Sequence, residues 1–283
     1  MASSIARAVP AFALAVFAVG CQNAAAPPSP TPTPAVTASA LNITGVVRDT
    51  LVRPVSGVRV EVVEASAAGL VAITNEEGRF TLSASALVPQ LVTTHVSKDG
   101  YTSNTLRLRN NVPDAVISLV AADLVDLQGQ YSITFTAASS CDQLPAAVRS
   151  RTFTGTIRPT TPNRWLFTSE LSAANFHPGY GTFFGAVSDA AARFYVSSWD
   201  AFNWWLEEQP IIERLDSNAY VSLMGTATSS TVTSNRSIAA TFDGTIEYCA
   251  AAGEPTAPNY PLTCAAPADC TSRNHQMTLT RRD

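Results

Sequence analysis

With 283 residues, of which 46% are hydrophobic and 14% charged, the chain has the composition of folded globular domains, which excludes an intrinsically disordered protein. Its 18 basic residues stand against 22 acidic ones, a formal net charge of −4, so it lacks the basic excess of a nucleic-acid-binding surface and nucleic acid is not an expected partner. Residues 1–20 hold one basic residue, Arg7, then an apolar run from Val9 to Val19 and a small residue before Cys21. That is the order of a signal peptide, and the run is short of the about 20 apolar residues of a membrane-spanning helix. Residues 21–40, rich in Pro, Ala, Thr and Ser, cannot bury enough apolar surface to fold and read as an extended spacer.

Ala18–Val19–Gly20–Cys21 resembles the lipobox of bacterial lipoproteins, with Ala18 where Leu is usual. The resemblance implies cleavage after Gly20, lipidation of Cys21 and attachment to a membrane through that lipid. Gln22, in place of Asp, implies sorting to the outer membrane of a diderm bacterium. An ordinary secretory signal with an incidental cysteine is the alternative.

From 41 to 120, runs rich in Val, Ile and Thr alternate with turn residues: 43–47, 57–63, 71–74, 79–82, 91–96, 104–108 and 116–119. Val58, Val60 and Val62 against Arg59 and Glu61 show the period of two expected of strands with one face in a core. Pro54–Gly57, Asn75–Gly78 and Lys98–Gly100 supply turns. Seven short strands predict a β-sandwich. Gly45–Asp49, Pro54–Val60, Thr74–Leu82 and Lys98–Tyr101, in that succession, resemble the carboxypeptidase regulatory-like domain. The resemblance implies a transthyretin-like sandwich, close to the fold of starch-binding modules and accessory rather than catalytic.

From 124 to 283 a second alternating series runs through 127–136, 152–157, 164–168, 182–187, 192–196, 219–228, 237–248 and 275–280. About eight antiparallel strands in roughly 150 residues is the size of an up-and-down barrel. The fold class expected is therefore all-β, a seven-stranded sandwich followed by an antiparallel barrel. Four cysteines remain after Cys21, an even count that reads as two disulfides in an exported chain. Spacings of fifteen and six residues between Cys249, Cys264 and Cys270 do not match a zinc site, so no metal is expected. Barrel closure brings the end of the first strand beside the start of the last, which predicts Cys141–Cys270 and leaves Cys249–Cys264 to staple the loop between them. The opening Gly129–Gln130–Tyr131 and the short last strand resemble, in layout, lipocalin-like small barrels.

Between 198 and 210 the strand rhythm breaks. Trp199, Trp204 and Trp205 stand beside Glu207 and Glu208, aromatic faces with flanking carboxylates of the kind that recognise sugars. The competing reading is a lid or plug whose rings fill the core. His95, His177 and His275 lie far apart, and no nucleophile elbow, metalloprotease helix or phosphate loop is present. Glu207 and Glu208 as neighbours on an extended chain point to opposite faces. The chain is thus expected to be non-catalytic and without cofactor. Its expected role is that of a cell-envelope binding or structural module with carbohydrate as candidate ligand. The alternative is a carrier with Tyr131, Phe153, Trp165 and Phe183 lining a cavity for an apolar ligand.

Overall fold

Along Ser39–Asp49 the odd-numbered residues from Leu41 to Asp49 are buried and those between are wetter, which is what a strand with one face in a core requires. This is β1 in a computed structural model that describes residues 38–176, 180–196, 210–232, 234–251 and 264–282, without the side chains of 65, 251 and 264–266. β1 lies centrally in a three-stranded sheet, antiparallel to β4 (Arg79–Val88) and parallel to β7 (Ala115–Leu119). A four-stranded antiparallel sheet runs β3 (Val71–Ile73), β2 (Arg59–Val62), β5 (Leu91–Ser97) and β6 (Asn104–Arg109). Ile43, Val47, Phe80 and Leu82 of the first sheet share one core with Val60, Val62, Val92 and Val96 of the second. Burying each such side chain contributes roughly 1.5 to 3 kcal/mol, so the shared core is what holds the sheets face to face.

The turns use the residues that turn chemistry demands. In the turn before β4, Asn75 O accepts from Gly78 N–H at 2.9 Å and Asn75 Oδ1 from Arg79 N–H at 2.8 Å. Gly78 has φ +72°, and a Cβ there would lie 2.5 Å from the Val47 carbonyl oxygen, so only glycine fits.

The remaining strands are β8 (Gly129–Thr136), β9 (Ser150–Pro159), β10 (Leu166–Ser172), β11 (Thr182–Ser188), β12 (Ala191–Val196), β13 (Ile211–Arg214), β14 (Ala219–Ser229), β15 (Ser237–Ala251) and β16 (Cys264–Arg281). Eight of them close an antiparallel barrel: β8 to β12 pair in sequence, β12 pairs β14, β14 to β16 pair in sequence, and β16 returns to β8. All eight expected strands are present. β13, which was not expected, pairs with β14 where β12 leaves it. At that corner Gly225 faces Gly244, and a Cβ on either would come within 2.3 Å of a carbonyl oxygen of the other strand. Two glycines let β14 and β15 approach and bend there.

The barrel is filled. Tyr131, Ile133, Phe135, Phe153, Phe183, Phe194, Phe242, Met277 and Leu279 are at most 1% exposed. Their rings touch in series: Phe153, Phe135 and Phe242 with centroids 6.3 and 5.5 Å apart, Phe167, Phe194 and Phe183 at 5.6 and 6.4 Å. An eight-stranded barrel is about wide enough for side chains to fill it, and here aromatic rings do so. Three of the residues considered as cavity lining, Tyr131, Phe153 and Phe183, belong to this packing, while half-buried Trp165 packs against its margin.

The described residues belong to one compact unit, with sandwich and barrel in contact. The turn after β1 supplies the joint. Leu51, 3% exposed, packs with Ala186 and Ala191 against Trp165, Leu166 and Tyr195. Thr50 Oγ1 donates to the Val187 carbonyl at 2.6 Å, Arg193 Nη1 to the Leu51 carbonyl at 3.3 Å, and Arg53 pairs with Asp189 at 3.2 Å.

Candidate functional site

One end of the barrel, where β8 ends and β9 begins, brings together buried ionisable groups. On β9 the odd-numbered residues from Arg151 to Ile157 point inward, so the phase of the strand sends the Arg151 guanidinium into this end. It meets Glu213 of β13, 4% exposed, in a two-pronged pair: Nε to Oε2 at 2.8 Å and Nη2 to Oε1. β13 is held here on its other side too, since Arg214 N–H donates to the Asn175 carbonyl at 2.7 Å and Ile212 N–H to that of Tyr180 at 3.1 Å.

His275 also points inward, on β16, and is fully buried beside Phe242. Its Nδ1 accepts from Ala138 N–H at 2.9 Å, and among the described residues Nε2 has no hydrogen-bond partner. Burial holds its pKa below the ordinary 6.5, against the opposite pull of the Cys270 and Gly244 backbones and of Asp243. The lowered pKa and the hydrogen bond accepted at Nδ1 both favour the uncharged ring at neutral pH.

Cys141 and Cys270 form a disulfide, with Cα atoms 5.6 Å apart, that ties the segment after β8 to β16. This is the expected pairing, reached in a different way. Cys270 lies inside the last strand, not before it, because β16 runs on past its last pairing with β8 at Gln276–Thr136 and continues against β15 alone. The sulfurs of this pair and a ring nitrogen of His275 lie within 4.8 Å of one another. Joined as a disulfide, the sulfurs offer a metal no thiolate. Cys249 is also disulfide-bonded. Its expected partner, Cys264, begins β16, and that side chain lies outside the described ones.

Trp199, Trp204, Trp205, Glu207 and Glu208 lie outside the described residues, as do Cys21 and His177. What is described is where their segment begins and returns. Val196, the last residue of β12, pairs with Gly225, and Ile211, the first of β13, pairs with Leu223. Both ends of the tryptophan-rich segment are thus fastened to β14 two residues apart. His95 lies far from this end, on the sandwich, 3.1 Å from Thr105 Oγ1. The Arg151–Glu213 pair was missed from sequence; the available signal was an arginine in phase with Phe153 and Ile157 on an alternating strand.

The fold defines an all-β protein, a two-sheet sandwich joined to a closed, filled, eight-stranded barrel. The chain matches no family model, and no curated protein matches it. Among solved structures it is similar to the Bacillus anthracis TIE protein at 10% identity and a TM-score of 0.23, over 83% of this chain and 49% of that one. The chain therefore spans about half the length of that protein.

Proposed function

We propose that the chain is a lipoprotein of the cell envelope, exported and anchored through Cys21 to the outer membrane of a diderm bacterium, where it acts as a non-catalytic binding or structural module with carbohydrate as its ligand. The observation that carries the binding part is the filled barrel. With Phe135, Phe153, Phe183, Phe194 and Phe242 packed at no more than 1% exposure, a ligand is met by the outside of the barrel or its loops rather than enclosed by its strands. This favours a surface binder over a carrier. The tryptophan-rich segment fastened to β14 supplies the aromatic and carboxylate groups for such a surface. The sequence Ala18–Val19–Gly20–Cys21 and the spacer behind it support the anchor. The three-plus-four sheet arrangement and its shared core are compatible with a carboxypeptidase regulatory-like domain as the accessory module.

Tryptophan fluorescence of the full-length chain in detergent, titrated with neutral oligosaccharides and with fatty acids, tests the binding reading. A saturable shift with sugars that is lost in Trp204→Ala is expected. A shift with fatty acids alone would return the carrier. Incorporation of labelled palmitate, abolished by Cys21→Ala, is expected for the anchor, and unlabelled wild-type protein would overturn it.

A further inference from the structure

We propose that the outer wall formed by β16, β8, β9, β10 and β11 is a second binding surface, and that its ligand is an extended neutral glycan. The inference rests on the carbohydrate reading above but not on the tryptophan-rich segment. Register places Thr278, Thr134 and Thr152 in one row across three strands and Thr280, Ser132 and Thr154 in the next. All six alternate with buried core residues and so face outward. Strand geometry spaces such rows by about 6.7 Å and the strands that carry them by about 4.8 Å. The hydroxyls therefore form a lattice. Thr134 and Thr152 Oγ1 lie 2.8 Å apart, and each hydroxyl keeps donor or acceptor capacity for a further partner.

The lattice leads into a groove. Beyond the second row Gln130 pairs with Thr156, and these residues with Gln128, Gly129 and Arg158 line an open groove of about 450 Å³, within the size range of ligand sites. Past the groove, Arg158, Thr168 and Phe184 form the next row, and the Phe184 ring is 45% exposed although it sits mid-strand. An exposed ring beside hydroxyls gives a sugar its stacking face and its hydrogen-bond partners together.

The chemistry of the wall selects the ligand. The six residues of the two rows carry no charge, the Arg158 guanidinium next to them is paired with Glu170 at 3.3 Å, and one guanidinium reaches the rows, that of Arg282, which donates to Thr154 Oγ1 at 2.6 Å, so a polyanion, which needs several cations, is not matched there. Strand propensity alone does not impose neutrality. On the outward side of β2, β5 and β6, Arg59, Glu61, His95 and Arg107 stand among Thr93, Ser97 and Thr105. A wide, open, hydroxylated wall fits a polymer lying along it better than a small molecule held in a cavity.

The test is retention of the full-length chain in detergent on microcrystalline cellulose, chitin and mannan, with heparin as the anionic control. Three variants are compared: Phe184→Ala, the triple Thr134→Val with Thr152→Val and Thr278→Val, and Trp204→Ala. Valine keeps the shape and strand propensity of threonine, and circular dichroism melts verify folding. The wild type is expected to bind at least one neutral glycan. Trp204→Ala should keep at least part of that binding, while Phe184→Ala and the triple variant fall about tenfold, the loss that one stacking ring or a few hydrogen bonds implies. Undiminished binding by both wall variants, or retention on heparin alone, would overturn the wall. Loss in Trp204→Ala alone would overturn the wall and leave the carbohydrate reading standing. No binding of the wild type to any neutral glycan would overturn both.

Discussion

His275 is a base kept in an apolar interior, so its protonation is tied to the stability of the barrel. Its folded pKa is lowered, first by burial, from an unfolded value of 6.5. Between those two values the unfolded chain holds a proton that the folded chain does not. Its contribution to stability is therefore complete above pH 6.5 and is lost as pH falls towards the folded value, by at most about 1.4 kcal/mol per pH unit for one proton. Urea denaturation at pH 7.5 and pH 5.0 should show that loss, and His275→Gln, which keeps an acceptor for Ala138 N–H, should show less of it. Equal losses in the two proteins would remove His275 from the account. Arg151 and Glu213 pose the reverse case, a charged pair in which the guanidinium answers both carboxylate oxygens. Removing Glu213 leaves Arg151, a quarter exposed and still donating to the Ala147 carbonyl at 3.3 Å, without its carboxylate, so Glu213→Ala is expected to cost about 1 to 2 kcal/mol, read as a lower denaturation midpoint. A cost near zero would mean that water reaches Arg151 freely.

β14 carries a conflict that two glycines resolve. Its last five residues pair with β12 and its earlier residues with β13, so the strand changes neighbour beside the Gly225–Gly244 pair. Gly225→Ala places a methyl against the Asp243 carbonyl and asks alanine for φ +154°. A loss of about 2 kcal/mol or more is expected in thermal melts, and an unchanged melt would mean that the strands separate there at little cost. The same region shows what was legible in sequence. Most wall strands announce themselves by one wet and one dry face, as Tyr131, Ile133 and Phe135 do on β8, and β14, whose Ala219–Leu223 are buried in succession, does so by its length. β13 does not, since Ile211, Ile212 and Glu213 are buried in succession between β14 and the segment around Asn175 and Tyr180, and burial on both faces erases alternation. The length of β16 was hidden by Pro267, which normally argues against a strand. It is tolerated because that stretch is an edge, with β15 on one side and no β8 partner on the other, which is where proline is found in sheets. The Cys141–Cys270 pairing could be deduced because it follows from barrel closure. The Arg151–Glu213 pair could not, because its partners meet across 62 residues through a strand that left no periodic signal.

The sandwich and the barrel share no β-sheet, so what makes them one body is the short turn after β1. Asp49, 1% exposed, accepts from the backbone N–H groups of Leu51 at 2.8 Å and Arg53 at 2.9 Å and from Arg53 Nε, which holds the turn in the shape that presents Leu51 to the barrel. The contributions across the joint are unequal. Arg53 and Asp189 are 44% and 60% exposed, and such a pair adds at most about 1 kcal/mol. Leu51 is buried among Ala186, Ala191 and Trp165, and its truncation costs roughly 2 to 3 kcal/mol. Coupling between the modules thus rests on the leucine and on the Thr50 hydroxyl rather than on the ion pair. Calorimetry of the full-length chain should give one unfolding transition for the wild type and for Arg53→Ala, and two for Leu51→Asp, which puts an unpaired charge into the apolar contact. Two transitions in the wild type would mean that the modules melt independently despite the joint. One transition in Leu51→Asp would shift the coupling to the Thr50–Val187 and Arg193–Leu51 hydrogen bonds, and Thr50→Val would then be the variant that separates them.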